Sequence, residues 1–148
     1  MVTDQTARED LQSLFGTTGI ATLVTLKRDG RPQISNISYV YDAESRVFRV
    51  SITDTRAKTK NMRRDDRVSL HVNGADGWNF ADAEGRAELG PVAAAPDDAA
   101  VDDLIAVYRA IGGKDHPDWD EYRAVMVADK RLVLRVHVDR FYGAIQQR

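Results

Sequence analysis

The chain moves between two hydrophobic periods, and each switch marks an element. In TAREDLQSLF (6–15), Leu11, Leu14 and Phe15 stand at helical spacing, which predicts a short amphipathic helix ended by Gly16. Residues 18–53 change character, with runs rich in Val, Ile, Thr, Tyr and Phe broken at Asp29-Gly30 and at Asp42–Ser45. Three strands joined by two turns are expected there. Asp29-Gly30 is the stronger turn signal, since glycine accepts the positive φ of a tight hairpin. RVSLHVNG (67–74) and WNFADAEGRAELG (78–90) predict two further strands, and Gly85 predicts a bulge or close backbone approach in the second. GPVAAAPDD (90–98) has linker composition. Pro96-Asp97-Asp98 then opens a helix whose Leu104, Ile105, Tyr108 and Ile111 keep helical spacing up to Gly112-Gly113. DWDEYRAVMVADK (118–130) predicts another helix, with Trp119, Tyr122, Val125 and Met126 inward. RLVLRVHVDRFYG (131–143) sets Leu132, Leu134, Val136 and Val138 against Arg131, Val133, Arg135, His137 and Asp139, the alternation of a closing strand.

About six strands and four helices result, with strands adjacent in sequence rather than separated by helices. The expected fold is therefore mainly β with peripheral helices (α+β), antiparallel, and most economically a closed or nearly closed barrel, which removes exposed edges. At 148 residues the chain is expected to form a single domain spanning 1–148.

Composition narrows the chemistry. With no cysteine, the sequence offers no disulfide, thiolate nucleophile or Cys-ligated metal. A net charge of −2 argues against a general nucleic-acid binder. No apolar run reaches the roughly 18 residues of a membrane span. The opening MVTDQTARED lacks the apolar core of a signal peptide, so a cytoplasmic location is expected. His71, His116 and His137 are scattered, without HExxH spacing, and no GxSxG, GxxxxGK[ST] or GxGxxG motif is present.

One stretch stands out against this background. From Arg56 to Arg67 six basic residues (Arg56, Lys58, Lys60, Arg63, Arg64, Arg67) face only Asp65 and Asp66. A helix starting near Arg56, capped by Asp54 or Thr55, would present its free N–H groups as a phosphate seat. At 100° per residue Arg56, Lys60, Arg63 and Arg64 share a face while Lys58 points elsewhere. Cations in a first helical turn are unfavourable, a cost that a bound phosphate would offset. A solvated helix face is the equal alternative on charge counting alone.

GIATLVTLKRDGRPQISNISYVYD, VSITDTRAKTKNMRRDDRVSL and DGWNFADAEGRAEL, in that order after a short helix, resemble the split β-barrel proteins of the pyridoxamine 5'-phosphate oxidase-like superfamily. Within it the chain is most similar to the flavin/deazaflavin oxidoreductase B group, which uses the deazaflavin coenzyme F420. The strand-to-helix stretch SITDTRAKTKN is the most specific motif, supported by DGRPQISN. The resemblance implies a cofactor phosphate at Arg56 and Lys58, with Thr59 and Asn61 nearby. It implies a ring system bordered by Ser51 and Ile52, with Gln33, Ser35 and Asn36 on the strand beside it. It also implies a homodimer with a shared cofactor site, in which the partner's match to Trp78 flanks the ring, and a polyglutamate tail steered by Lys60, Arg63 and Arg64. The ending RFYGAIQQR lacks the Arg-rich Leu-x-Pro segment of true pyridoxamine-phosphate oxidases, which argues against vitamin B6 oxidation.

The expected activity is transfer of a hydride from reduced F420 to an electron-poor small organic acceptor. FMN-dependent oxidoreduction on the same barrel is one alternative. A non-catalytic flavin-, deazaflavin- or haem-binding protein, with His116 or His137 as haem ligand, is another. The proton is expected from solvent; Tyr108, Tyr122 and Tyr142 are donor candidates only in that they carry hydroxyls. Taken alone, Ser51 and Ile52 read as ordinary strand residues, Trp78 as a core anchor, and Gln33 and Asn36 as partners for neighbouring backbone.

Overall fold

A computed structural model describes residues 4–146, with side chains from residue 8 onward. Six strands close an antiparallel barrel in the order β1-β2-β3-β6-β5-β4. They are β1 (Thr18–Leu26), β2 (Pro32–Asp42), β3 (Val47–Thr53), β4 (Arg67–Asn73), β5 (Phe80–Leu89) and β6 (Arg131–Ala144). Four helices surround it: α1 (Asp4–Phe15), α2 (Ala57–Arg64), α3 (Ala99–Gly112) and α4 (Trp119–Ala128). The expected architecture is the observed one.

Local chemistry sets the boundaries. Gly30, at φ 88, closes the β1–β2 hairpin, and its N–H donates to the Lys27 carbonyl. The Asp98 carboxylate caps α3 by accepting from Val101 N–H, while Gly113 ends it in the left-handed conformation. The anticipated irregularity at Gly85 is a register shift between Glu84 and Gly85. A Cβ there would lie 2.3 Å from the His137 carbonyl oxygen, so only glycine allows β5 and β6 to approach this closely.

The barrel interior is filled from its strands' inward positions and plugged by Phe15 of α1. Phe48, fully buried, has its ring centroid 5.0 Å from Phe15, 5.2 Å from Tyr39 and 4.3 Å from Tyr41. The Tyr39 hydroxyl donates to the Phe15 carbonyl at 2.6 Å, satisfying an otherwise free helix end. Burial pushes its pKa up to about 12.

A second apolar cluster differs from the expected pattern. Val133 sits among the outward positions of β6 by alternation, yet it is 2% exposed, because α3 and α4 pack over that face. Here β6 is covered on both sides.

The barrel is also split. β2 pairs with β1 along nine positions but with β3 only at Val40, Tyr41 and Asp42. Residues 32–39 of β2 and 50–53 of β3 therefore diverge, and the edges that face one another across the gap have no strand between them.

Candidate functional site

A cavity of about 810 Å³ lies in this split, within the usual size for small-ligand sites. One wall is Gln33, Ser35 and Asn36 of β2 with Ser51 and Ile52 of β3. The start of α2 supplies Arg56, Ala57 and Lys58, and Arg131 enters from the first position of β6. Val107, Tyr108 and Ile111 of α3 with Tyr122 and Met126 of α4 form an apolar and aromatic side.

Where α2 opens on the cavity, the helix is uncapped. Its N-cap is Arg56, in extended conformation (φ −72, ψ 151), and no side chain bonds the free N–H groups. The cap expected from Asp54 is absent because Arg63 holds that carboxylate at 2.6 Å. The later start also alters the predicted helix face. Arg56 precedes the helix, so its side chain leaves the wheel, and it lines the cavity together with Lys58, whereas Lys60, Arg63 and Arg64 do not.

Thr59 and Asn61 are buried and anchor the helix instead of facing the cavity. The Thr59 hydroxyl donates to the Thr53 carbonyl at 2.7 Å. The Asn61 amide donates to Thr25 Oγ1 at 3.1 Å and Gln33 Oε1 at 3.0 Å, tying α2 to β1 and β2. Arg64 donates to the Leu26 carbonyl and to Asn61 Oδ1, so Arg63 and Arg64 are both engaged within the chain. Lys60 is exposed.

The cavity's electrostatics follow from what is missing around its cations. Among the described residues no ion pair reaches Arg56, Lys58 or Arg131. Burial lowers the Lys58 pKa below its usual range, and the like charges of Arg56 and Arg131 add to the effect. Two buried polar atoms at the walls, Ser35 Oγ and Arg131 Nε, have no hydrogen-bond partner among the described residues. Such atoms are costly unless a ligand or water meets them.

The remaining candidates fall elsewhere. Trp78 is 77% exposed in the β4–β5 turn and is not a core anchor. Of the tyrosines, Tyr108 and Tyr122 line the cavity, but the Tyr122 hydroxyl donates to the Leu104 carbonyl at 3.2 Å. Tyr142 is outside it, near the end of β6. Neither His116 nor His137 lines the cavity. His116 Nδ1 accepts from Asp118 N–H, and His137 Nε2 meets Glu88 at 3.0 Å. Among the described residues no cluster of His, Asp or Glu is arranged to hold a metal, and no helix is long and apolar enough to cross a membrane.

The profile of the family described as pyridoxamine 5'-phosphate oxidase matches residues 7–143. The chain belongs to that family. Solved structures share the fold of this pyridoxamine 5'-phosphate oxidase family member. An F420 reductase is 21% identical, with a TM-score of 0.61 over 88% of this chain and 94% of its own. A conserved hypothetical protein of Mycobacterium tuberculosis is 20% identical, TM-score 0.67, over 97% and 84%. A heme binding protein of Mycobacterium smegmatis is 19% identical, TM-score 0.64, over 93% of this chain and 53% of its own. At such identities the likeness is one of fold.

Arg131 was not among the site residues predicted from sequence. Its place in the cavity follows from the pairing Thr53↔Arg131, a contact between distant parts of the chain that local pattern does not reveal.

Proposed function

We propose that the chain is an oxidoreductase that uses coenzyme F420 and passes a hydride to an electron-poor small organic acceptor such as a conjugated enone, quinone or heterocycle. The observation that carries this reading is the pair Arg56 and Lys58, unpaired beside an uncapped helix start and opening on a cavity of ligand size. An anion there would meet two cations and free N–H groups together. Ser51 and Ile52, with Gln33, Ser35 and Asn36 across the split, would hold the ring between the diverging strands, where Ser35 Oγ awaits a partner. Bound F420 supplies the hydride chemistry. The protein would position the acceptor against Tyr108, Ile111 and Met126 and keep water from the transferring hydride, and solvent at the open mouth of the cavity would supply the proton that completes reduction of the acceptor.

FMN, with a phosphate and a ring of similar outline, is the competing cofactor. Titrating the protein with oxidised F420 and separately with FMN, at low salt and followed by cofactor fluorescence, decides between them. Binding of neither would refute the reading. The polyglutamate tail of F420 would find only Lys60 uncommitted among its three proposed partners.

The site is proposed to be shared across a homodimer. On the outer face of β1 and β2, Ile20, Thr22 and Val24 align with Ser38, Asn36 and Ile34, and no position is charged. Ile20 and Ile34 are 73% and 66% exposed. Depletion of charge around exposed aliphatics is an interface signature, and a second copy would bring its Trp78 to the cavity. Trp78→Ala should then leave the unfolding free energy within about 0.5 kcal/mol while weakening cofactor binding about tenfold. Unchanged binding would remove Trp78 from the site.

pH gives a separate check. Anion binding favours protonated Lys58, whose pKa is lowered in the ligand-free fold. Affinity is expected to fall as pH rises from neutrality toward the ordinary lysine value of about 10.4, and Lys58→Gln should flatten the profile. In the ligand-free protein the sign reverses. Between the lowered folded pKa and the unfolded one the unfolded chain holds more protons, so stability gains as pH rises.

A further inference from the structure

Arg131 and Arg135 stand four residues apart on the same face of β6, either side of Val133, the face that α3 and α4 cover. Their surroundings differ. The Arg135 guanidinium is met in a fork by Asp103 of α3, at 2.8 and 2.9 Å. Arg131 has no carboxylate partner among the described residues. Its Nη1 lies 3.4 Å from both the carbonyl oxygen and the hydroxyl of Ser51, beyond the 2.7–3.2 Å of a well-formed N–H···O bond. Its Nε is buried without a partner. Arg46 Nε is likewise buried and unpartnered, but its guanidinium lies over the Phe141 ring at 5.6 Å and lines no part of the cavity. Arg131 opens on the cavity, between Ser51 and the phenol of Tyr122.

A guanidinium is charged at every working pH and presents donors in a planar fork that matches a pair of oxygens. Arg135 shows that this face of β6 can pair such a group when the chain supplies a carboxylate. We propose that Arg131 is a ligand-holding residue whose fork receives a planar oxygen group of the molecule in the cavity, a seat distinct from the phosphate seat at Arg56 and Lys58. Two sources carry that chemistry: the conjugated carbonyl edge of a flavin-type cofactor, or the carboxylate of an aromatic acid used as second substrate. Ser51 serves as the resting contact that the ligand replaces. The inference rests on the cavity being the ligand site but not on the identity of the cofactor.

The experiment uses the full-length protein, Arg131→Gln, which removes the charge, and Arg131→Lys, which keeps charge without the fork. Thermal unfolding first establishes that each variant is folded. Calorimetric titrations then use five probes: oxidised F420, FMN, inorganic phosphate, 2-naphthoate and its neutral amide. If the cofactor edge is the partner, Arg131→Gln weakens F420 or FMN about tenfold or more, with Arg131→Lys in between, while phosphate binding stays as in the wild type. If the acid is the partner, the wild type prefers 2-naphthoate to the amide, and Arg131→Gln abolishes that preference. A wild type that binds neither cofactor sinks the proposed function, yet the naphthoate comparison still tests Arg131. Two results overturn the inference: neither cofactor nor naphthoate affinity changes in the variants, or phosphate weakens as much as the larger ligands, which would merge Arg131 into the phosphate seat.

Discussion

The double variant Arg56→Ala/Lys58→Ala is expected to lose at least a hundredfold in affinity for oxidised F420 or FMN, with little change in folded stability. Each charge-assisted contact to a phosphate is worth about 1.5–3 kcal/mol, or roughly ten- to a hundredfold. Both side chains line the same end of the cavity, and neither is paired within the described chain, so their removal breaks no internal ion pair. Removing Lys58 should even relieve the ligand-free fold of a half-buried charge facing two like charges. Single and double variants together measure coupling, because two cations on one anion give non-additive losses. An unchanged dissociation constant in the double variant would reduce the basic run to a solvated helix face.

Phe48→Ala is expected to cost about 3–5 kcal/mol of folding free energy. Against a usual total of about 5–15 kcal/mol, that leaves little margin. The ring is fully buried and touches three others, one of them Phe15, through which α1 plugs the barrel. Loss of the ring removes the plug's seat as well as its own packing. Urea unfolding should show a lower midpoint with an unchanged slope, the mark of lost stability rather than a changed denatured state. A shift worth less than about 1 kcal/mol would mean that α1 slides inward to fill the space.

Most of the fold was legible because each strand's period and each turn's residue types are local signals. Gly30, Gly85 and the Asp98 cap sit where their chemistry requires. Two readings failed, each for a tertiary reason. Val133 alternates outward by local pattern, and only the helices packed over β6 bury it. Asp54 reads as a cap, but Arg63, two turns along α2, takes its carboxylate first. Thr59 and Asn61, which the family resemblance alone put near the cofactor phosphate, show no local sign of how they pack. Their burial against Thr53, Thr25 and Gln33 makes them the fasteners of the helix that presents Arg56 and Lys58. The cavity itself had no single-residue signature, since it arises where β2 and β3 cease to pair.

That divergence has a cost beyond the site. The barrel closes through six strand pairings, but residues 32–39 of β2 keep a free edge toward the split. This segment, PQISNISY, carries no charge, and its sole proline stands at the first position. It therefore lacks the lysines and internal prolines with which edge strands commonly resist aggregation. The opening proposed to admit a ligand is also where another chain's strand could add itself, so a molecule seated in the cleft would be expected to guard against self-association.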